Sequence, residues 1–196
     1  LLLGRDGREG TLETILRRED PDDLAAVAEA MACGWCGSAT VRVAFRARLD
    51  GLLAHGFRTW DRDWRHDAAR SAMALALWQG GDRSAAVALG LLHHWDARWR
   101  LAGLGALHGE RTWPWYERLE VTALLGDADG AVRERALATV QGWGAAGLIA
   151  LPPLRAAARA NGETPFAAAC QATADSLVQA RISSASEALR LTVTSA

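Results

Sequence analysis

Apolar residues recur along this chain at steps of three and four, in runs of ten to twenty residues, and short polar or glycine-rich breaks separate the runs. That spacing places the apolar side chains on one face of a helix, and no segment shows the period-two alternation of a strand. The pattern predicts helices in pairs, at 11–19 and 22–33, 39–55 and 63–79, 83–94 and 96–108, 114–126 and 130–142, and 152–160 and 164–181. The breaks are Gly34 and Gly37-Ser38, Gly80-Gly81-Asp82, Gly109, Gly126-Asp127, Gly142 to Gly147, and Asn161-Gly162, each marked by glycine, a turn-forming residue. Pro114, Pro153 and Pro165 suit the first turn of a helix, where the missing N–H would have had no partner. Residues 1–10 read as an N-terminal extension, 11–182 as one helical domain, and 183–196 as a tail, extended at its end, because the helical period is lost there.

The helix pairs repeat. Trp60-Asp61-Arg62-Asp63-Trp64-Arg65 returns 35 residues later as Trp95-Asp96-Ala97-Arg98-Trp99-Arg100. With Leu24, Trp64, Trp99, Val132 and Phe166 as anchors, the positions three residues earlier hold Pro21, Asp61, Asp96, Asp129 and Glu163. A carboxylate there meets the unpaired N–H groups of a helix start. Four residues after each anchor stand Ala28, Ala68, Gly103, Ala136 and Cys170, all small enough to let a neighbouring helix come close.

These residues carry a family resemblance. The stretch LLGDADGAVRERALATVQGWG resembles a HEAT repeat, with its Leu-Leu, its Asp-x-Asp turn, Val-Arg and spaced alanines. The resemblance covers residues 11 to 181 and implies an all-α fold: an α-solenoid of about five HEAT-like antiparallel helix pairs, its second helices lining a concave face. It also implies that the turn Asp127 and Arg133, six residues on, bond across repeats, while Arg65 and Arg100 keep the Arg without the matching Asp. In size and helix rhythm the chain is also similar to the HEAT-like alkylpurine DNA glycosylases. In that register Trp60 matches the first active-site aromatic, whereas Trp64, Ala102 and Thr139 stand where the family has Asp, Arg and Trp. Three of the four are missing, so no catalytic residue is expected. The di-iron deoxyhypusine hydroxylases carry His-Glu pairs, and this chain has no His-Glu dipeptide.

Composition narrows the function further. The 196 residues carry 22 basic and 23 acidic side chains, a net charge of -1, and every basic residue is Arg. Such a balance makes no overall field to recruit a phosphate backbone. Codon bias of a GC-rich genome accounts for the absence of Lys, although Arg also makes bidentate and stacked contacts that Lys cannot. No apolar run approaches the ~18 residues that would suggest a membrane span. Leu1-Leu2-Leu3 is too short for a secretory core. Three cysteines form no disulfide framework, so a reducing, cytoplasmic setting is expected.

Nine tryptophans are the unusual feature. Stacked repeats would set Trp60, Trp64, Trp95 and Trp99 in a ridge edged by Arg65 and Arg100. Trp and Arg are the residue types most enriched in binding hot spots. The anchors Trp64 and Trp99 are equally explained as core between repeats, since Val132 and Phe166 fill the same position. Cys33-Gly34-Trp35-Cys36 reads as structural, with zinc or redox chemistry as the other reading; a second ligand pair is not visible in the sequence. His93-His94 falls at a helix C-terminus, where imidazolium is favoured; adjacent helical residues diverge too far to share one metal. The expectation is a scaffold or adaptor, not an enzyme, without cofactor or metal, holding a partner protein through its concave face. The candidate binding residues are Trp60, Arg65, Trp95, Arg100, Arg133 and Arg135. The alternative is a nucleic-acid-binding protein, which requires Arg65, Arg70, Arg98, Arg100, Arg133 and Arg135 to converge on one face.

Overall fold

A computed structural model of the chain describes residues 24, 28, 39–56, 64–107 and 115–194, with side chains except at 40–41, 52–56, 64–66, 115–116, 145 and 188–194. Among the described residues there is no strand, and helices pack against neighbouring helices. The chain divides into two compact units, Leu1–Leu107 and His108–Ala196.

In the first unit, Leu24 and Ala28 are helical and fully buried. Helices α1 (Ala39–Gly56), α2 (Trp64–Gln79), α3 (Ala85–Leu91) and α4 (Ala97–Leu107) follow. Each packs on the next, and α1 also touches α3, so the first helices of successive pairs stack. Apolar spacing explains the core. Phe45 and Leu49 lie one turn apart on α1, Met73 and Leu77 one turn apart on α2, and Leu104 and Leu107 on α4, all buried. Helix α3 is only seven residues long and buried from Val87 to Leu91.

Close approach is built into α3 and α4 by glycine. A Cβ at Gly90 would lie 2.6 Å from the Ala74 Cβ of α2, and one at Gly103 would lie 2.6 Å from the Ala88 carbonyl oxygen of α3. Gly103 is thus the small residue the repeat pattern predicted at a helix contact. Ala68, assigned the same role in the preceding repeat, is exposed, and its neighbours Ala69 and Arg70 face inward instead. The buried stripe of α2 therefore runs one position out of step with the sequence register.

The second unit contains α5 (Trp115–Ala123), a 3₁₀ turn Leu124–Gly126, α6 (Gly130–Gln141), a 3₁₀ segment Gly144–Ala150, α7 (Leu151–Ala160) and α8 (Pro165–Thr194). Here α5 pairs with α6 and α7 with α8, while α5 also touches α7 and α6 touches α8. First helix thus touches first and second touches second. The Asp129 side chain caps α6 by accepting from the Val132 N–H, and Thr164 accepts from the Ala167 N–H at the start of α8. Val121, Leu125, Val132, Ala136, Val140, Trp143, Leu154, Cys170 and Leu177 form the core.

Two boundaries differ from the sequence reading. The helix expected over 83–94 ends at Leu91, and His93 and His94 lie in the turn that follows. The segment 183–196, expected as an extended tail, continues α8 as helix to Thr194. Its residues 183–187 are all exposed, so packing does not impose an apolar period on them, and the Ser184 and Ser186 hydroxyls donate back to the carbonyl oxygens of Ala180 and Ile182 within the helix.

Candidate interaction site at the turn between α3 and α4

Three of the turns that precede helices share one construction. Two residues before each helix-starting position stands a side-chain acceptor. Asp82 Oδ1 accepts from the Ser84 N–H at 2.9 Å, His94 Nδ1 from the Asp96 N–H at 3.0 Å, and Asp127 Oδ1 from the Asp129 N–H at 2.8 Å. Ser84 and Asp129 are the N-cap residues of α3 and α6, and Asp96 precedes the first residue of α4. Asx turns of this kind are the usual business of Asp; at the α3–α4 turn an imidazole takes the place of the carboxylate.

An arginine grips two of these turns from the helix side. Arg100 Nη1 donates to the carbonyl oxygens of His94 at 2.7 Å and Trp95 at 2.8 Å. Arg133 Nη1 donates likewise to Asp127 at 2.9 Å and Ala128 at 3.1 Å. In both cases the acceptors are six and five residues back. The family resemblance had implied an Asp127–Arg133 bond between repeats; the bond found here is to the Asp127 main chain, within one turn. That explains why Arg100 makes it without an aspartate six residues back. The Arg133 guanidinium also lies 5.5 Å from the ring centroid of Phe166, the anchor of the next helix pair.

At the α3–α4 turn Trp95 projects outward and is 85% exposed. Its ring is backed by His94, with centroids 5.5 Å apart and the planes tilted by 30°. His94 in turn meets the half-buried Trp99 edge-on at 6.3 Å. Beside them Asp96 and the exposed Arg98 form a bidentate pair, with Nη2 to Oδ2 at 2.6 Å and Nε to Oδ2 at 3.0 Å. The Arg98 side chain, helped by the Arg98 N–H, holds the Asp96 carboxyl down to about 2.

His94 is only 6% exposed. Burial pushes its pKa below the ordinary value and Arg100 adds to the effect, while Asp96 opposes them. The sequence had favoured imidazolium here, at a helix end. The structure reverses that, because the Nδ1 lone pair is used as an acceptor and the ring is buried.

The candidate residues therefore fall into separate places. Trp95 and Arg100 meet at the α3–α4 turn. Arg133, and Arg135 with it, stand on α6 in the other unit; Arg135 is half-buried, and its carbonyl accepts from the Thr139 hydroxyl. Trp60 and the Arg65 side chain lie outside the described residues, as do Cys33 and Cys36. Arg70 is 2% exposed, 3.4 Å from Asp67 Oδ1 and 3.2 Å from His93 Nε2, so it is a buried network residue and no surface cation. Among the described residues, no three of His, Cys, Asp and Glu gather as a metal site, and no helix is long and apolar enough to cross a membrane.

Sequence reasoning gave His94 no role beyond its helix-end placement and did not pair Asp96 with Arg98. The signal was present in the recurrence of Asp82-x-Ser84, His94-x-Asp96 and Asp127-x-Asp129 before α3, α4 and α6, but His is not an expected member of that set. Chemically, the turn offers an exposed aromatic face beside a neutralised ion pair, a surface for contact. No family model, no curated protein and no solved structure matches the chain.

Proposed function

We propose that the chain is a HEAT-like α-solenoid scaffold of about five helix pairs that binds a partner protein, with Trp95 as an anchor of the contact. The observation that carries the reading is the Trp95 ring, 85% exposed on a turn held by both Arg100 and His94. A large aromatic on a pre-ordered backbone loses little freedom on binding and buries much area, which is why Trp dominates interface hot spots. Stacking of α1 on α3, α5 on α7 and α6 on α8 supports the repeat architecture. Repeat arrays of this kind commonly serve as binding surfaces.

The arrangement of the arginines speaks against a phosphate partner. Arg98 is neutralised by Asp96, Arg100 and Arg133 are turned onto main-chain carbonyls, and Arg70 is buried. Affinity for a nucleic acid rises with the number of phosphates that cations neutralise, and these four are already engaged.

The test is capture from native lysate with wild type and Trp95→Ala side by side, followed by reconstitution with the purified captured protein. A partner that binds wild type directly and loses at least tenfold in affinity to the variant supports the reading. Fluorescence anisotropy with duplex DNA at low and moderate salt is the counter-test. A micromolar or tighter complex that weakens steeply with salt would put nucleic acid in place of protein.

A further inference from the structure

We propose that the α3–α4 turn is a protonation switch, in which protonating His94 removes the acceptor that closes the turn and opens the segment that carries Trp95. The geometry sets the chemistry. His94 Nδ1 receives the Asp96 N–H at 3.0 Å, so this nitrogen must bear a lone pair in the closed turn. Imidazolium has an N–H on both ring nitrogens and no acceptor. Two N–H groups cannot share the space between Nδ1 and the Asp96 nitrogen, and the ring must leave it.

Comparison of the three turns isolates the property to one of them. The Asp82 and Asp127 turns are closed by carboxylates, which keep their lone pairs at any pH near neutrality. At Asp82 burial works against the ionised form, but the Ser84 hydroxyl, the Ser84 N–H and Arg46 outweigh it and hold the carboxyl below its usual value. Only the α3–α4 turn, among these three, is closed by a group that changes its charge near neutrality.

The surroundings of His94 all bear on the direction. The ring is 6% exposed, so a charge there loses hydration. The Arg100 guanidinium sits on the His94 carbonyl at 2.7 Å and repels imidazolium. Asp96 attracts it, but the Asp96 carboxylate is already committed to Arg98. Neighbouring His93 is engaged elsewhere, toward Asp67 and Arg70 of α2. The tilted Trp95 ring is a weak attractor of a cation at 5.5 Å. None of these restores an acceptor to the Asp96 N–H. Opening returns His94 to water, where it takes up a proton more readily, so acid drives the turn open and alkali closes it.

The measurement uses the full chain, with ¹⁵N-labelled protein followed by NMR from about pH 7.5 to about pH 5.5, the range that brackets an ordinary imidazole. In wild type the His94 ring, the Asp96 amide and the Trp95 indole signals are expected to move together, with one midpoint below the ordinary histidine value. The Asp129 amide, bonded to a carboxylate, stays in place. In His94→Asp the acceptor is permanent, as at Asp127, and the Asp96 amide and Trp95 indole hold still over the same range. The proposal is overturned if the wild-type imidazole titrates while the Asp96 amide keeps its bonded position, or if Asp96 and Trp95 still move in His94→Asp. Because the wild-type titration stands by itself, a poorly folded variant does not remove the test. The titration needs no partner, so a failure here is distinct from failure of the binding proposal.

Discussion

Arg133 holds the main chain of Asp127, with Nη1 2.9 Å from its carbonyl oxygen, and the identity of the side chain at 127 has no part in that bond. Arg100 holds His94 in the same way at 2.7 Å. The arginine one position after the anchor is therefore a clasp on the preceding turn. Replacing it should loosen the helix start that it closes. Arg133→Ala removes two hydrogen bonds from a charged donor, and since Arg133 is half-buried, about 1.5 kcal/mol of stability is expected to be lost, the lower end for such bonds. Urea denaturation of the variant against wild type checks this. A change within error would mean that water serves the two carbonyls equally well.

The tryptophans should separate by exposure. Trp143 is 8% exposed and packed in the second unit, so Trp143→Ala is expected to cost ~3–5 kcal/mol. Trp95 is 85% exposed, and Trp95→Ala should change stability by less than ~0.5 kcal/mol. Trp99 is half-buried and belongs between them. Thermal melts of the three variants give the ranking, and a Trp95 variant as unstable as the Trp143 one would remove Trp95 from the surface.

Much of this was legible beforehand. Helices at 39–55, 63–79, 114–126, 130–142 and 152–160 match the observed elements to within a few residues, because their apolar faces have a core to meet. The turn glycines and prolines also stand where backbone chemistry requires them, with Gly81 and Gly162 at positive φ and Pro165 opening α8. What could not be read was atom-level assignment. Asp127 and Arg133 were paired by spacing, but spacing cannot distinguish a carboxylate from the carbonyl of the same residue. Trp95 and Trp99 share one motif, yet one is exposed and the other half-buried, since four residues are slightly more than one helical turn and Trp95 precedes the helix.

Stability should depend on pH through His94. Its folded-state pKa lies below the ordinary 6.5 because of burial, with Arg100 assisting and Asp96 opposing. A group with a lowered folded pKa binds more protons when unfolded, so its contribution is complete above the unfolded value and is lost as pH falls through the folded one. The melting temperature of wild type should therefore fall from about pH 7.5 to about pH 5.5 by more than that of His94→Asp. Equal slopes in the two proteins would contradict the assignment.

Asp96 makes a separate statement at lower pH. The Arg98 side chain is the main reason its carboxyl titrates at about 2, below the ordinary 3.8. In Arg98→Ala the midpoint should rise toward the ordinary aspartate value, although the backbone N–H of residue 98 remains as a donor. Carboxyl ¹³C titration reads it directly, and an unmoved midpoint would show that the backbone alone sets it.

Gly103→Ala should destabilise the first unit by ~1–3 kcal/mol, as overpacking does. The added Cβ would meet a main-chain oxygen, Ala88 O, at 2.6 Å, and also the Leu91 Cβ at 3.2 Å. A main-chain atom cannot rotate out of the way. Urea denaturation checks the magnitude, and a neutral result would mean that α4 can slide along α3.

The glycine contacts on either side of α3 have a mechanical consequence. Elsewhere in a protein, flexible side chains lie between helices and absorb small displacements. At Gly90 and Gly103 that cushion is missing, and Ala74 of α2 and the Ala88 carbonyl of α3 stand where a Cβ would go. A push on one helix is handed to the next with little slack. At these two points α3 has no flexible side chain between itself and α2 or α4, so a shift of α3 has to be matched by both neighbours.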